Sequence, residues 1–198
     1  MVNGFVRFAL ASALLGQGFV ALSERHGVKV FRRAVETGME LGAEGIIAAP
    51  PEAVRRTLLD YANHPRWVKS LAESRVLDRT DNSLHVYQRL GLPLIEDRDF
   101  TLRVTWGAEG QELWVRFQTA NERGPAPRPG VVRVALHEGE WRLDPVDGGR
   151  ATHAIYRFHL DLAGSLPSWL GKGRAAKDVA ELFERLGAEA QRASTASP

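Results

Sequence analysis

From Ser74 onward the chain alternates apolar and polar residues with a period of two, the pattern of half-buried strands. The runs are SRVLDRT, LHVYQRLGL, DFTLRVTW, ELWVRFQTA, VVRVALHEGEWRLDPV and ATHAIYRFHLDL. Turn-forming residues separate them at Thr80-Asp81-Asn82, residues 107–110, residues 124–130 and Asp147-Gly148-Gly149. Sequential strands with short connections predict an antiparallel meander. In DFTLRVTW, Phe100, Leu102, Val104 and Trp106 fall on one face, with Thr101, Arg103 and Thr105 on the other. Four charges, Glu96, Asp97, Arg98 and Asp99, precede that alternation and need compensation.

Ahead of the meander, His26-Gly27 predicts a turn before a short strand VKVFRR, and residues 41–48 a second strand, joined through a hairpin at residues 36–38. Pro51 opens a helix whose apolar positions are Val54, Leu58 and Tyr61, stopped by Asn63-His64-Pro65. Trp67, Val68 and Leu71 predict a further helical turn or two. After Leu162 the period lengthens again. Ala175, Ala176, Val179, Leu182, Phe183, Leu186 and Ala190 form one stripe of a long helix, with Ser165 as its candidate cap and Lys177, Asp178, Glu181, Glu184 and Arg185 on the polar side. A large twisted sheet curves, and one long helix in its concave side buries its apolar face economically. GPAPRPG, with three prolines in seven positions, cannot continue a central strand and is read as either a gate or a stiff surface connection.

Length and composition fit one globular domain: 198 residues, 44% hydrophobic and 25% charged. The domain is assigned to residues 22–191 and a disordered tail to residues 192–198. Residues 1–21 have two readings. Arg7, the apolar run 8–15 and the small residues Gly16 and Gly18 suit a short signal peptide, while residues 6–22 also suit an amphipathic first helix. The first reading implies export to the periplasm and the second a cytoplasmic protein. A net charge of +2 with no dense basic cluster argues against nucleic acid. The absence of cysteine removes thiol nucleophiles, thiolate metal sites and disulfides.

Other chemistries find little support. The six histidines (26, 64, 85, 137, 153 and 159) include no HExxH pair, so no metal is expected. Ser165 lies in GSLP and not in GxSxG, and no glycine pattern suits a phosphate. No catalytic residue and no cofactor are therefore assigned.

The strings HGVKVFRR, APPEAVRRTLLDYANHPRWVKSLAESRVL, Arg98-Asp99-Phe100, GEWRLDPV and HLDLAGSLPSWL, in this order across residues 22–190, resemble the START (StAR-related lipid-transfer) family of the Bet v 1-like (SRPBCC) helix-grip superfamily. The resemblance implies an α+β helix-grip fold: a curved antiparallel sheet wrapped around a long C-terminal helix, with a central hydrophobic cavity for one lipid- or sterol-sized molecule. It implies a monomer that carries this molecule and exchanges it at a transient membrane contact. A cyclase or aromatase in a like-shaped cavity is the enzymatic alternative, with Tyr87, His85, His153 and Tyr156 as its acid–base candidates. A ligand-sensing interaction module is a third.

Under the alternation above, the cavity wall would comprise Tyr87, Phe100, Leu102, Val104, Trp106, Val115, Phe117, Val134, Leu136, Tyr156 and Phe158 from the sheet, and Val179, Leu182, Phe183 and Leu186 from the helix. Arg98 and Asp99 are the polar candidates. They are read as a mutual ion pair, a head-group contact or exposed charges.

Overall fold

The computed structural model describes residues 18–163 and 172–195. In chain order the elements are β1 (Val20–Arg25), β2 (Val28–Arg33), β3 (Met39–Ile47), α1 (Pro51–Leu59), a 3₁₀ helix (Tyr61–Arg66), β4 (Leu71–Arg79), β5 (Ser83–Leu90), β6 (Asp97–Glu109) and β7 (Glu112–Thr119). Then follow β8 (Val131–Arg133), β9 (Leu136–Val146), β10 (Ala151–Asp161) and the long helix α2 (Lys172–Thr195). The strands build one curved, unclosed sheet in the order β1-β2-β3-β10-β9-β7-β6-β5-β4. The short β8 runs parallel to the start of β6, and the other pairings are antiparallel.

A single phase of the pleat faces α2. One cross-strand row runs Leu41, Phe158, Gly139, Phe117, Val104, Leu84 from β3 to β5, buried at every side chain. Against it α2 turns Ala176, Val179, Ala180, Phe183, Leu186 and Ala190, all buried at three- and four-residue spacing. α1 begins with Pro51 in its first turn and packs on β7, β9, β10 and α2, so it fills the concave space at one end of the grip.

Several expectations change. Residues 20–22, given above to a signal peptide or first helix, belong to β1, which hairpins onto β2 through His26-Gly27. Residues 1–17 of that reading, and the Ser165 cap, lie outside the described residues. The predicted helical turns at Trp67–Leu71 are replaced by the 3₁₀ helix just before them and by β4. α2 continues through Thr195, into the segment read as a tail.

The run VVRVALHEGEWRLDPV is two strands, not one, and the break shifts its phase. β7 leaves β6 after Thr119, and β8 takes over the vacated edge beside residues 97–99 of β6. Asn121 holds this exchange together, accepting from Thr101 N (2.9 Å) and donating to the Val134 carbonyl (2.7 Å).

Candidate ligand-binding site

Between the sheet, residues 58–71 and α2 lies a cavity of about 300 Å³. The sheet supplies Phe100, Leu102, Phe117, Trp141, Tyr156 and Phe158 to its wall. Trp141 stacks on Tyr156 with ring centroids 4.1 Å apart, and Tyr156 on Phe158 at 5.0 Å, giving a floor of interlocked rings. α1 and the 3₁₀ helix add Leu58, Tyr61, His64 and Trp67, and α2 adds Val179 and Leu182. In a 3₁₀ helix residues three apart eclipse, which is why Tyr61, His64 and Trp67 present one edge to the cavity.

The polar groups on this wall are uncharged. Burial holds His64 down to about 4, and its Nε2 lies 3.1 Å from the Leu58 carbonyl. Burial likewise holds His137 down to about 4, with the ring set edge-on to Phe100 (4.6 Å) and Phe117 (5.1 Å). The phenols of Tyr61 and Tyr156 are pushed well above the usual tyrosine range by the same desolvation.

Charge collects instead where the cavity reaches the surface. Lys69, Arg174, Asp178, Glu181 and Arg185 border it there. Glu181 pairs with Lys69 across the opening and with Arg185 (3.2 Å) on its own helix. The contact with Lys69, above all, holds the Glu181 carboxyl below its usual range. Arg185 also donates to the Trp67 carbonyl (3.4 Å), so two links tie α2 to the segment after the 3₁₀ helix. The β5–β6 loop contributes Leu92 and Pro93 to the wall, while its next residue, Leu94, is 94% exposed.

Of the residues expected on the wall, Phe100, Leu102, Phe117, Tyr156, Phe158, Val179 and Leu182 line the cavity. The others sit elsewhere. Val104 and Val115 are fully packed on the concave face, beyond the cavity. Trp106 is half-buried beside them, with the Arg79 guanidinium over its ring at 5.2 Å. Phe183 and Leu186 are core, Phe183 against Trp141 at 5.2 Å. Val134 and Leu136 flank the β8–β9 break, and the phase shift there turns His137 and Trp141 to the cavity in their place.

Tyr87 is corrected to the opposite face. It pairs with Thr101, one residue out of phase with Phe100, and is covered by the proline-rich connection. The Arg98 and Asp99 side chains also separate, because adjacent strand residues point to opposite faces. Asp99 accepts from Arg133 (2.6 and 3.2 Å) and from Tyr87 (3.0 Å) on the convex side. Arg98 donates to the carbonyls of Glu96, Leu162 (3.3 Å) and Ala163 (3.5 Å), tying the end of β10 to the start of β6. Neither makes the mutual ion pair expected above. None of residues 124–130 lines the cavity, and Arg128 donates to the Tyr87 hydroxyl at 2.6 Å, as a surface connection would. Three of the four acid–base candidates, Tyr87, His85 and His153, are thus off the cavity wall, and Tyr156 lines it.

Residues 47–186 match the family described as polyketide cyclase / dehydrase and lipid transport. The chain belongs to this family. Within it the protein is a START-type domain with the helix-grip fold. It is similar to a STAR-related lipid transfer protein (fragment 25-204) from Xanthomonas axonopodis at 26% identity and a TM-score of 0.78, covering 88% of this chain and 99% of that one. Human STARD10 superposes with the same TM-score of 0.78 at 19% identity, over 97% of this chain and 81% of that one, a likeness of fold. An uncharacterized protein of Pseudomonas aeruginosa is 25% identical over 166 residues, 82% of each chain. Among the described residues of this START domain no His, Asp and Glu cluster is arranged to hold a metal, and no helix is long and apolar enough to cross a membrane.

Proposed function

We propose that this START domain carries one small hydrophobic molecule, a single-chain lipid, sterol-like or isoprenoid compound, and exchanges it at a membrane surface. The observation that supports this most is the cavity of about 300 Å³ walled by aromatic and aliphatic side chains. That volume sits at the small end of ligand pockets, and each ligand methylene buried there contributes about 0.8 kcal/mol. Binding therefore needs few polar contacts.

Exchange requires the cavity to open toward lipid. The β5–β6 loop touches the cavity with Leu92 and Pro93 and offers Leu94 to the outside, so one short segment spans both environments. Its insertion into a bilayer would part the wall at that point. Transfer of a fluorescent acyl probe between donor and acceptor vesicles tests this: catalysed transfer that Leu94→Asp slows is expected, and transfer no faster than the spontaneous rate contradicts it.

A second reading, a cyclase-type enzyme, draws on one observation: Tyr61, His64, His137 and Tyr156 all border the same cavity. Conversion of a poly-β-ketone thioester mimic to a ring product, lost in Tyr156→Phe, would favour it over the carrier.

A further inference from the structure

Four enclosed side-chain atoms lack a hydrogen-bond partner among the described residues: Ser23 Oγ, Glu44 Oε2, Thr101 Oγ1 and His137 Nδ1. Only His137 lies on the cavity wall. Its backbone is pinned from both sides by Thr119, whose Oγ1 accepts from His137 N (2.7 Å) and donates to His137 O (3.1 Å). The β9 register then sends the imidazole to the inner face, between the edges of Phe100 and Phe117. The residue as a whole is half-buried and borders the cavity, while Nδ1 itself is enclosed.

A buried imidazole without a partner is a net cost to the fold, and a phenyl or isobutyl group would fill the same slot between two phenyl rings without that cost. Among the described residues no carboxylate and no backbone carbonyl bonds to the ring. We propose that His137 is the hydrogen-bonding anchor for an uncharged hydroxyl or carbonyl oxygen on an otherwise hydrophobic ligand. With Nδ1 enclosed, the ring meets a guest through Nε2, which donates to a hydroxyl or carbonyl oxygen in one tautomer and accepts from a hydroxyl in the other. A carboxylate or phosphate fits worse. The cations near the cavity are Lys69, Arg174 and Arg185 at its rim, and Arg98 is committed to three backbone carbonyls.

The inference rests on the carrier reading, and the experiment separates the two. Dodecane, dodecanol and dodecanoate compete with the fluorophore anilinonaphthalene sulfonate for the wild-type protein and for His137→Phe, with His137→Gln as a variant that keeps hydrogen-bonding capacity. Wild type is expected to bind dodecanol about tenfold more tightly than dodecane, the worth of one buried hydrogen bond. His137→Phe loses that preference while its affinity for dodecane is unchanged, and His137→Gln retains part of it. Equal affinities of wild type for alcohol and alkane, or an alcohol preference undiminished in His137→Phe, overturn the anchor and leave the carrier standing. Failure of all three probes to displace the fluorophore from wild type overturns the carrier reading itself.

Discussion

The Tyr87 hydroxyl donates a 3.0 Å hydrogen bond to Asp99 on the side of the sheet that faces away from the cavity. Asp99 is 1% exposed and also receives both arms of the Arg133 fork, so one carboxylate fastens β5, β6 and β8 together beneath the proline-rich connection. Removing it takes the shared acceptor from a partly exposed guanidinium and a buried phenol at once. Asp99→Ala is expected to lose about 2–4 kcal/mol of stability, moderated by water reaching the partly exposed Arg133. Urea unfolding measures this, and a midpoint equal to wild type contradicts the assignment. Ligand affinity of the folded variant should be unchanged.

The two cavity histidines make stability depend on pH in a definite direction. Their folded pKa values of about 4 lie below the ordinary histidine value of about 6.5. As pH falls from about 6.5 to about 4, the unfolded chain takes up protons that the folded chain refuses, so stability present above that window is lost within it. Each histidine contributes a slope of about 1.4 kcal/mol per pH unit. Unfolding free energies across that range should fall less steeply in His137→Phe, by about one proton. Identical slopes would place His137 in contact with water.

On the carrier reading the rim is expected to control release and to have little effect on the fold. Glu181→Gln weakens the link to Lys69 that holds α2 against the segment after the 3₁₀ helix, and the pair within α2 that steadies Arg185, the donor to the Trp67 carbonyl. Surface pairs of this kind are worth less than about 1 kcal/mol, so the melting temperature should barely move. Dissociation of a bound fluorophore, followed by stopped flow, should quicken several-fold, and raised salt should quicken wild type in the same way. An unchanged rate in both conditions would show that the opening lies elsewhere.

The sheet and its terminal helix were legible because their patterns are strict: Phe100, Leu102 and Val104 alternate without interruption, and Val179, Phe183 and Leu186 keep helical spacing. β1 was not legible, since Val20–Arg25 adjoins an apolar run that suits a leader or a helix equally well. The site was read in part. Phase assigned from hydrophobicity favoured Val134 and Leu136, whereas the true inner phase of β9 reads His137, Gly139, Trp141, Leu143, in which a histidine and a glycine dilute the signal. The glycine is there because a Cβ at this position would strike the Arg157 carbonyl oxygen of the neighbouring strand and lie only 2.6 Å from the Phe117 ring. Tyr87 misled for a related reason: the convex face is itself buried at Tyr87, Asp99 and Thr101, so burial there does not mark the cavity side. Tyr61, His64 and Trp67 carried a usable signal, a spacing of three, which belongs to a 3₁₀ helix and not to the α-helical period sought.

The carrier reading requires that the space beneath α2 hold a guest. Leu182 lines that space and is only half-buried, so Leu182→Trp can fill it at little cost to the fold, whereas Leu186→Asp would place a charge in solid core and unfold the chain. Native mass spectrometry of the purified protein, after incubation with a total lipid extract, tests the claim most directly. The account predicts a one-to-one adduct of a small hydrophobic compound on the wild-type protein, absent from folded Leu182→Trp. A wild-type protein that stays bare, or an adduct carried equally well by Leu182→Trp, would contradict it.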